Sequence, residues 1–450
     1  MKSLEEWLKQ NKITEIECVT PDQTGIARGK IMPTDKFIEE KGIRLPESVL
    51  LQAATGDYPE DEVYYDLLDA ADIDMDLKPD SSALYLVPWA IEPTAMIIHD
   101  CYNKAGAPIS LSSRNVLKRV IDLYKKEGWS AIVAPEVEFY LTQKFVDPDQ
   151  PLKPPVGRSG RPETGRKSFS IDAVNEFDPI TEDIYDWAEA QKLDIDTLIH
   201  EEGAAQLEFN FRHGDPLKLA DQVFVFKRTV REAAMKHDIN ATFMAKPIAH
   251  EPGSAMHLHT SVIDTQTGSN IFSNADGSMS DAFRHYVGGL QKYIPYVMPM
   301  FAPNVNSYRR FIPGVSYSAP TNLDWGDENR TCGLRVPNSP PQARRIENRL
   351  PGADVNSYLA IAASLACGYL GIKEKLEPRN MISGKADSIP DPSVPWNIEQ
   401  ALEMMLECQA IRDVLTDDFV RGYVSTRWAE FEGYKRVISS WEREHLLSSV

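Results

Sequence analysis

The sequence predicts an α+β protein in two parts, a small unit over residues 1–105 and a larger one over residues 106–450. Three observations predict it. Short alternating runs of strand type occupy the first hundred residues. The turn-rich stretch 103–108, NKAGAP, then marks a boundary. Beyond it, amphipathic helices mix with strands whose polar faces carry carboxylates, imidazoles and guanidinium groups.

In the first part, residues 13–20 (ITEIECVT) alternate as a strand does. Asp22 to Gly25 supply a turn, and IARGKIMP returns as a hairpin partner. Residues 83–89 (ALYLVPW) and 95–102 (AMIIHDCY) predict two more strands. In the second part, Val116, Leu117, Val120, Ile121 and Tyr124 share one helical face. Ser112 or Ser113 can cap that helix, and Gly128 lies just past its end. Residues 219–236 and 398–416 predict two further helices, and the Pro-, Gly- and Arg-rich stretch 148–165 predicts a long loop.

Composition bounds the function. The chain has 450 residues, 42% of them hydrophobic and 26% charged, which excludes a disordered or collagen-like chain. Its 48 Lys+Arg against 67 Asp+Glu give a net charge of -19, with no long basic run. That balance disfavours nucleic acid and anionic membrane surfaces and makes metal ions or amines the natural partners. The five cysteines show no zinc-type spacing, which fits a reducing compartment. The N-terminal MKSLEEWLKQ lacks an apolar signal region. The longest apolar stretch, Tyr358 to Ile372, has 15 residues, short of the roughly 20 that a membrane span needs. A soluble cytoplasmic protein is expected.

Four strand-like segments carry the chemistry. In PEVEFYL (135–141), Glu136 and Glu138 share one face while Val137 and Phe139 take the other. In QLEFNFR (206–212), Glu208 lies on the polar face with Gln206, Asn210 and Arg212, and Glu201 stands just before. In MHLHTSV (256–262), His257, His259 and Ser261 lie on one side; in RIENRL (345–350), Arg345, Glu347 and Arg349 do. Half-solvated strands usually carry Thr, Lys and Ser instead. If the four polar faces line one cavity, five carboxylates and a histidine converge, and like charges so close need cations. Glutamate oxygens with one imidazole suit Mg²⁺ or Mn²⁺, and nearby arginines suit phosphate and carboxylate ligands. Two metals with arginines point to phosphoryl transfer from ATP. The stretch GRPETGRKS (160–168) imitates a P-loop, but Arg166 stands where that motif needs lysine and no hydrophobic strand precedes it.

Together these segments resemble the glutamine synthetase superfamily. The resemblance is carried by PEVEFYL, EEGAAQLE (201–208), FMAKP (243–247), GSAMHLHTS (253–261), NSYRRFIPG (306–314), ENRTCGLRVP (328–337) and RRIENRLPG (344–352), in the family's order. It implies an N-terminal β-grasp domain over 1–105 and a catalytic domain over 106–450 built on a curved antiparallel sheet surrounded by helices. It implies one metal on Glu138, Glu201 and Glu208, and another on Glu136, His257 and Glu347. His259, Ser261 and Arg345 are implied as ATP contacts, Gly253, Arg310 and Arg349 as glutamate contacts, and Arg330 and Arg335 as stabilisers of the transferring phosphoryl group. Two or more Mg²⁺ or Mn²⁺, ATP as co-substrate, L-glutamate and self-association into two stacked rings, a dodecamer, are implied with them. The implied chemistry phosphorylates the γ-carboxylate and lets an amine attack the acyl phosphate, with water excluded.

The sequence departs from ammonia-using members. Ser318 stands where their PGxEAP-like flap carries Glu, and QAATGDYPED (52–61) lacks their DGSS-like Asp. Both departures point to a larger amine. The stretch 154–179, PPVGRSGRPETGRKSFSIDAVNEFDP, is similar to γ-glutamylpolyamine synthetases, which implies putrescine or a related polyamine. Tyr317 and Trp325 flank the missing acid and could face an ammonium group. Gln342 replaces a lysine common near the nucleotide, Pro252 replaces an asparagine beside Gly253, and no tyrosine lies between Tyr369 and Tyr423, where some members are adenylylated. Other readings are a ligase for an alkylamine, ethanolamine or aromatic amine, a glutamine synthetase proper, and a non-catalytic scaffold. The scaffold would have lost metal ligands, and all six are present.

Overall fold

Two sheets organise the chain in the computed structural model, which describes residues 4–312, 320–386 and 390–450. The first part runs α1 (Leu4–Gln10), β1 (Glu15–Pro21), β2 (Ala27–Pro33), α2 (Thr34–Glu40), β3 (Ile43–Pro46), α3 (Asp61–Leu67), β4 (Asp74–Leu86) and β5 (Thr94–Tyr102). Its five strands are ordered β2-β1-β5-β4-β3, with β1 and β5 parallel. The predicted hairpin forms, pairing Glu15 with Pro33 through Pro21 with Ala27. Alternation along β5 feeds two cores. Ala95, Ile97 and Cys101 face a small core with Leu8, Ile16 and Phe37, while Met96 and Ile98 join the large core of the rest of the molecule. The strand β3 and the first half of β4 went unpredicted because DMDLKPDSS is polar and its register shifts between Pro79 and Leu84.

The second part runs α4 (Ser113–Lys126), β6 (Trp129–Gln143), α5 (Ile171–Asn175), α6 (Asp178–Gln191), β7 (Ile195–His200), β8 (Gln206–Phe211), α7 (Pro216–Lys236), β9 (Ile239–Thr242), β10 (Met256–Asp264), α8 (Asp281–Phe301), β11 (Trp325–Asp327), β12 (Leu334–Val336), β13 (Ile346–Asn348), α9 (Ser357–Glu374), α10 (Ile398–Glu407), α11 (Gln409–Leu415), α12 (Asp417–Lys435) and α13 (Ser440–Leu446). Its strands are ordered β11-β12-β13-β10-β6-β8-β7, with β9 on the far end of β6. All pairs are antiparallel except β11 with β12. One face of this sheet is apolar. Val137, Phe139, Leu207, Phe209 and Leu258 are buried there against α7, whose Phe226 ring packs on Phe139 and Phe209. The other face carries the polar residues of the four segments.

The apolar stretch from Tyr358 becomes α9, buried on nearly every side against α4, α7 and α8. Among the described residues, no helix is long and apolar enough to cross a membrane. The single helix expected over 398–416 is two. Cys408 is extended (φ −85°, ψ 96°) between α10 and α11. The break lets Ile398, Leu402 and Met405 pack toward α8 and α12 while Ile411 and Leu415 turn toward α4 and α9. Arg114, fully buried, ties the two parts together: its guanidinium contacts Asp80 and Asp221 at 2.7 and 2.9 Å and also pairs with Asp100.

Candidate active site

Strand register assembles the polar face. On β6, Glu136 lies opposite His257 of β10, and Glu138 lies opposite Glu208 of β8. On the next pair, His259 lies opposite Glu347 of β13. Period-two alternation puts all six on one side, and the turn between β7 and β8 adds Glu201. Ligand atoms of Glu138, Glu201 and Glu208 lie within 4.8 Å of one another, which gathers the implied first metal triad. The implied second triad is divided. Glu136 and His257 group with Glu208, while Glu136 and Glu347 group with His259. His257 Nδ1 lies 3.2 Å from Glu136 Oε2 and 3.9 Å from Glu347 Oε1.

Electrostatics explains what such a cluster needs. Burial and the neighbouring Glu201 charge push the Glu138 carboxyl up, and burial with four surrounding glutamates pushes Glu208 well up. Glu201 rises through burial and Glu136. Burial also opposes charge on Glu136, yet hydrogen bonds with His257 and His259 hold it below the usual carboxylate range. Burial and Arg349 push His257 down to about 4, so its imidazole is neutral near pH 7 and offers a lone pair. Three carboxylates, which repel one another and which no cationic side chain is shown to pair within the Glu138–Glu201–Glu208 group, form a hard-oxygen donor set. That set fits Mg²⁺ or Mn²⁺, and the Glu136–His257 group fits Mn²⁺ equally well.

A cavity of about 940 Å³ opens beside the cluster. Glu136, His259 and Arg335 line it together with Ser261, Gln342 and Arg345. Ser261 and Arg345 thus lie along the space expected for a nucleotide. His259 sits deeper than that expectation: its Nε2 is 3.0 Å from Glu136 Oε1, and Arg345 Nε donates to its Nδ1 at 3.4 Å. Arg335 donates to Glu347 Oε2 at 2.6 Å and to Glu328 at 3.2 Å, and Arg349 pairs with the other Glu347 oxygen. The Nε atoms of Arg335 and Arg349 are buried with no hydrogen-bond partner among the described residues. Orphaned buried donors cost about 1–3 kcal/mol each, and an anionic ligand satisfies them. Arg330 is exposed, with its charge felt at Glu201.

Gly253 and Arg310 are in close contact. A Cβ at Gly253 would lie 2.4 Å from Arg310 Cγ and 2.7 Å from the Ala245 carbonyl oxygen. Arg310 itself donates to the carbonyls of Leu350 and Arg349 at 2.8 and 3.2 Å, so it braces the segment that carries Arg349. Tyr140 donates to the carbonyl of Pro252 at 2.8 Å. Two supporting residues were on the polar faces but had no expected role. Gln206 donates to Glu138 at 3.2 Å and to the Gly253 carbonyl at 3.0 Å, and Asn210 donates to Glu136 at 3.3 Å. The suggested amine-facing role of Trp325 is corrected: its ring is buried against Phe283 and its indole donates to the Arg379 carbonyl at 2.6 Å. Tyr317 and Ser318 lie outside the described residues.

The family described as glutamine synthetase, catalytic domain, matches residues 110–446. The chain belongs to the glutamine synthetase family. Among its relatives, a glutamate–isopropylamine ligase from Pseudomonas sp is 30% identical over 99% of this chain and 97% of its own. The γ-glutamylputrescine synthetase PuuA of Escherichia coli (strain K12) is 32% identical over 97% of this chain and 92% of its own. A glutamine synthetase of Pyrococcus woesei is 31% identical over 90% of both chains. The structure of apo GmaS without ligand matches 100% of both chains at a TM-score of 0.84 and 25% identity. The two-sheet α+β architecture is thus that of the glutamine synthetase family.

Proposed function

We propose that this chain joins the γ-carboxylate of L-glutamate to a primary amine, a polyamine such as putrescine, through γ-glutamyl phosphate formed with ATP. In its coarser form this is ATP-dependent glutamate–amine or glutamate–ammonia ligation by a glutamine synthetase family member. The observation that carries the reading is the glutamate cluster opening onto a cavity edged by Arg335 and Arg345. Divalent cations bound by Glu138, Glu201 and Glu208, and by Glu136 with His257, would neutralise the phosphates of ATP.

The chain's own groups do the rest. Ser261 and Arg345 orient the nucleotide along the cavity. Arg335 and Arg330 neutralise the phosphoryl group as it leaves ATP. Arg349, with Nε free of protein partners, meets a glutamate carboxylate, and Arg310 holds Arg349 in place from behind while Gly253 gives room. Once the acyl phosphate forms, a neutral amine attacks its carbon and phosphate departs.

A polyamine is favoured by the similarity of residues 154–179 to γ-glutamylpolyamine synthetases and by Ser318 in place of the flap acid. Comparable similarity to an isopropylamine ligase keeps a monoamine as the second reading. Self-association into two stacked rings is part of the same proposal. The test is phosphate release, with mass detection of the amide, from glutamate, ATP and Mg²⁺ with putrescine, isopropylamine, ethanolamine or ammonium. Putrescine turnover well above ammonium is expected. Strong turnover with ammonium alone contradicts the amine assignment, and no turnover with any of them contradicts ligation.

A further inference from the structure

The turn between β7 and β8 carries Glu201 into the cluster against the repulsion of Glu136 and two further carboxylates. Strands hold Glu138 and Glu208, but Glu201 sits on five turn residues and is only half-buried. Something must hold that turn inward. The turn is also strained, since Ala205 adopts the left-handed region (φ 57°), which disfavours any residue with a Cβ.

The loop before α5 supplies the restraint. Glu163, with 3% of its side chain exposed, accepts the Ala205 amide at 2.7 Å and meets His200 Nε2 at 2.9 Å, all through Oε2. His200 is fully buried, and its Nδ1 reaches the Glu201 carbonyl oxygen at 2.7 Å. Nearby, Arg166 donates to Glu202 at 2.7 Å, and the Phe169 amide donates to the His200 carbonyl at 2.9 Å. Contacts from one loop therefore fix both ends of the turn. On the opposite side the Tyr140 hydroxyl closes over Gly203, where a Cβ would lie 1.9 Å from its oxygen.

We propose that Glu163 is a positioning residue for the Glu138–Glu201–Glu208 group, acting through His200 and the Ala205 amide. The proposal rests on the divalent-cation reading of that group. Glu163 touches no candidate ligand; it sets where the Glu201 carboxylate stands. The stretch that imitates a P-loop thereby has a different task, with its buried glutamate rather than its basic residues turned toward the site. Groups that orient metal ligands from behind typically change metal affinity 10- to 100-fold when removed.

The test titrates Mn²⁺ into the full-length wild type, Glu163→Ala and Glu163→Gln, following free Mn²⁺ by electron paramagnetic resonance and unfolding temperature in EDTA. The expected result for Glu163→Ala is one class of Mn²⁺ site weakened about 10- to 100-fold, with the Glu136–His257 class changed far less. Glu163→Gln, which keeps an acceptor for the Ala205 amide, is expected to fold and to weaken the same class less. It decides the matter if the alanine variant does not fold. Unchanged affinity in a folded variant overturns the proposal, as does equal weakening of both classes together with a fall in unfolding temperature. A wild type that binds no Mn²⁺ overturns the cation reading itself, which separates that failure from failure of the positioning role.

Discussion

Replacing Glu208 by Gln isolates the charge balance of the site. The perturbation removes one carboxylate from a group whose ligand atoms lie within 4.8 Å of each other, and leaves volume and strand pairing unchanged. At that separation each like-charge pair is worth roughly 3 kcal/mol at an effective dielectric of about 20. Protonation of Glu208 relieves part of this in the metal-free protein, so the net gain for Glu208→Gln is smaller, on the order of 1–3 kcal/mol at pH 8. About 2 °C of unfolding temperature per kcal/mol is expected for a large domain. Metal-free Glu208→Gln therefore unfolds a few degrees above the wild type, and the order reverses when millimolar Mn²⁺ stabilises only the wild type. The assay is a thermal unfolding scan of both proteins in EDTA and in Mn²⁺. A variant less stable than wild type in EDTA, or one that Mn²⁺ stabilises as much as wild type, refutes the reasoning.

Two further outcomes follow from the same geometry. The Glu138 carboxyl is raised to about 8, above its unfolded value, so the folded state binds the extra proton. Stability of the metal-free protein is therefore greatest below the unfolded carboxylate value of about 4.3 and falls as pH rises toward 8, unless other groups offset it, while saturating Mn²⁺ removes the decline; denaturant melts across that range check it. Gly253→Ala places a methyl against Arg310 and the Ala245 carbonyl, which must shift the brace behind Arg349. A rise in the KM for glutamate of about 10-fold with the KM for ATP little changed is expected, since 1.4 kcal/mol of lost positioning is tenfold, and steady-state kinetics read it.

Much of the site was legible because strand alternation is local. Glu136, Glu138, His257 and His259 declare their face by the apolar residues between them, and the observed registers then set Glu138 against Glu208. What alternation could not give is the partition of neighbours. Which of His257 and His259 shares Glu136 with Glu347 depends on the offset between β10, β6 and β13, a long-range quantity. The brace from Arg310 to the carbonyls of residues 349 and 350 is likewise tertiary, and Trp325 beside the flap gave no sequence sign that its ring turns into the core. Glu163 was hidden inside a stretch that reads as a loop, where burial has no periodic signature. In the fold, the extended Cys408 that divides α10 from α11 lacks Gly or Pro to announce it.

The account turns on a pair of cations held by six side chains from distant strands. Anomalous diffraction at the manganese edge from crystals grown with Mn²⁺ and an ATP analogue tests it most directly. Two peaks per chain are predicted, one bounded by Glu138, Glu201 and Glu208 and the other by Glu136 and His257 with Glu208 or Glu347 alongside. Peaks elsewhere, or none at these carboxylates, would contradict it.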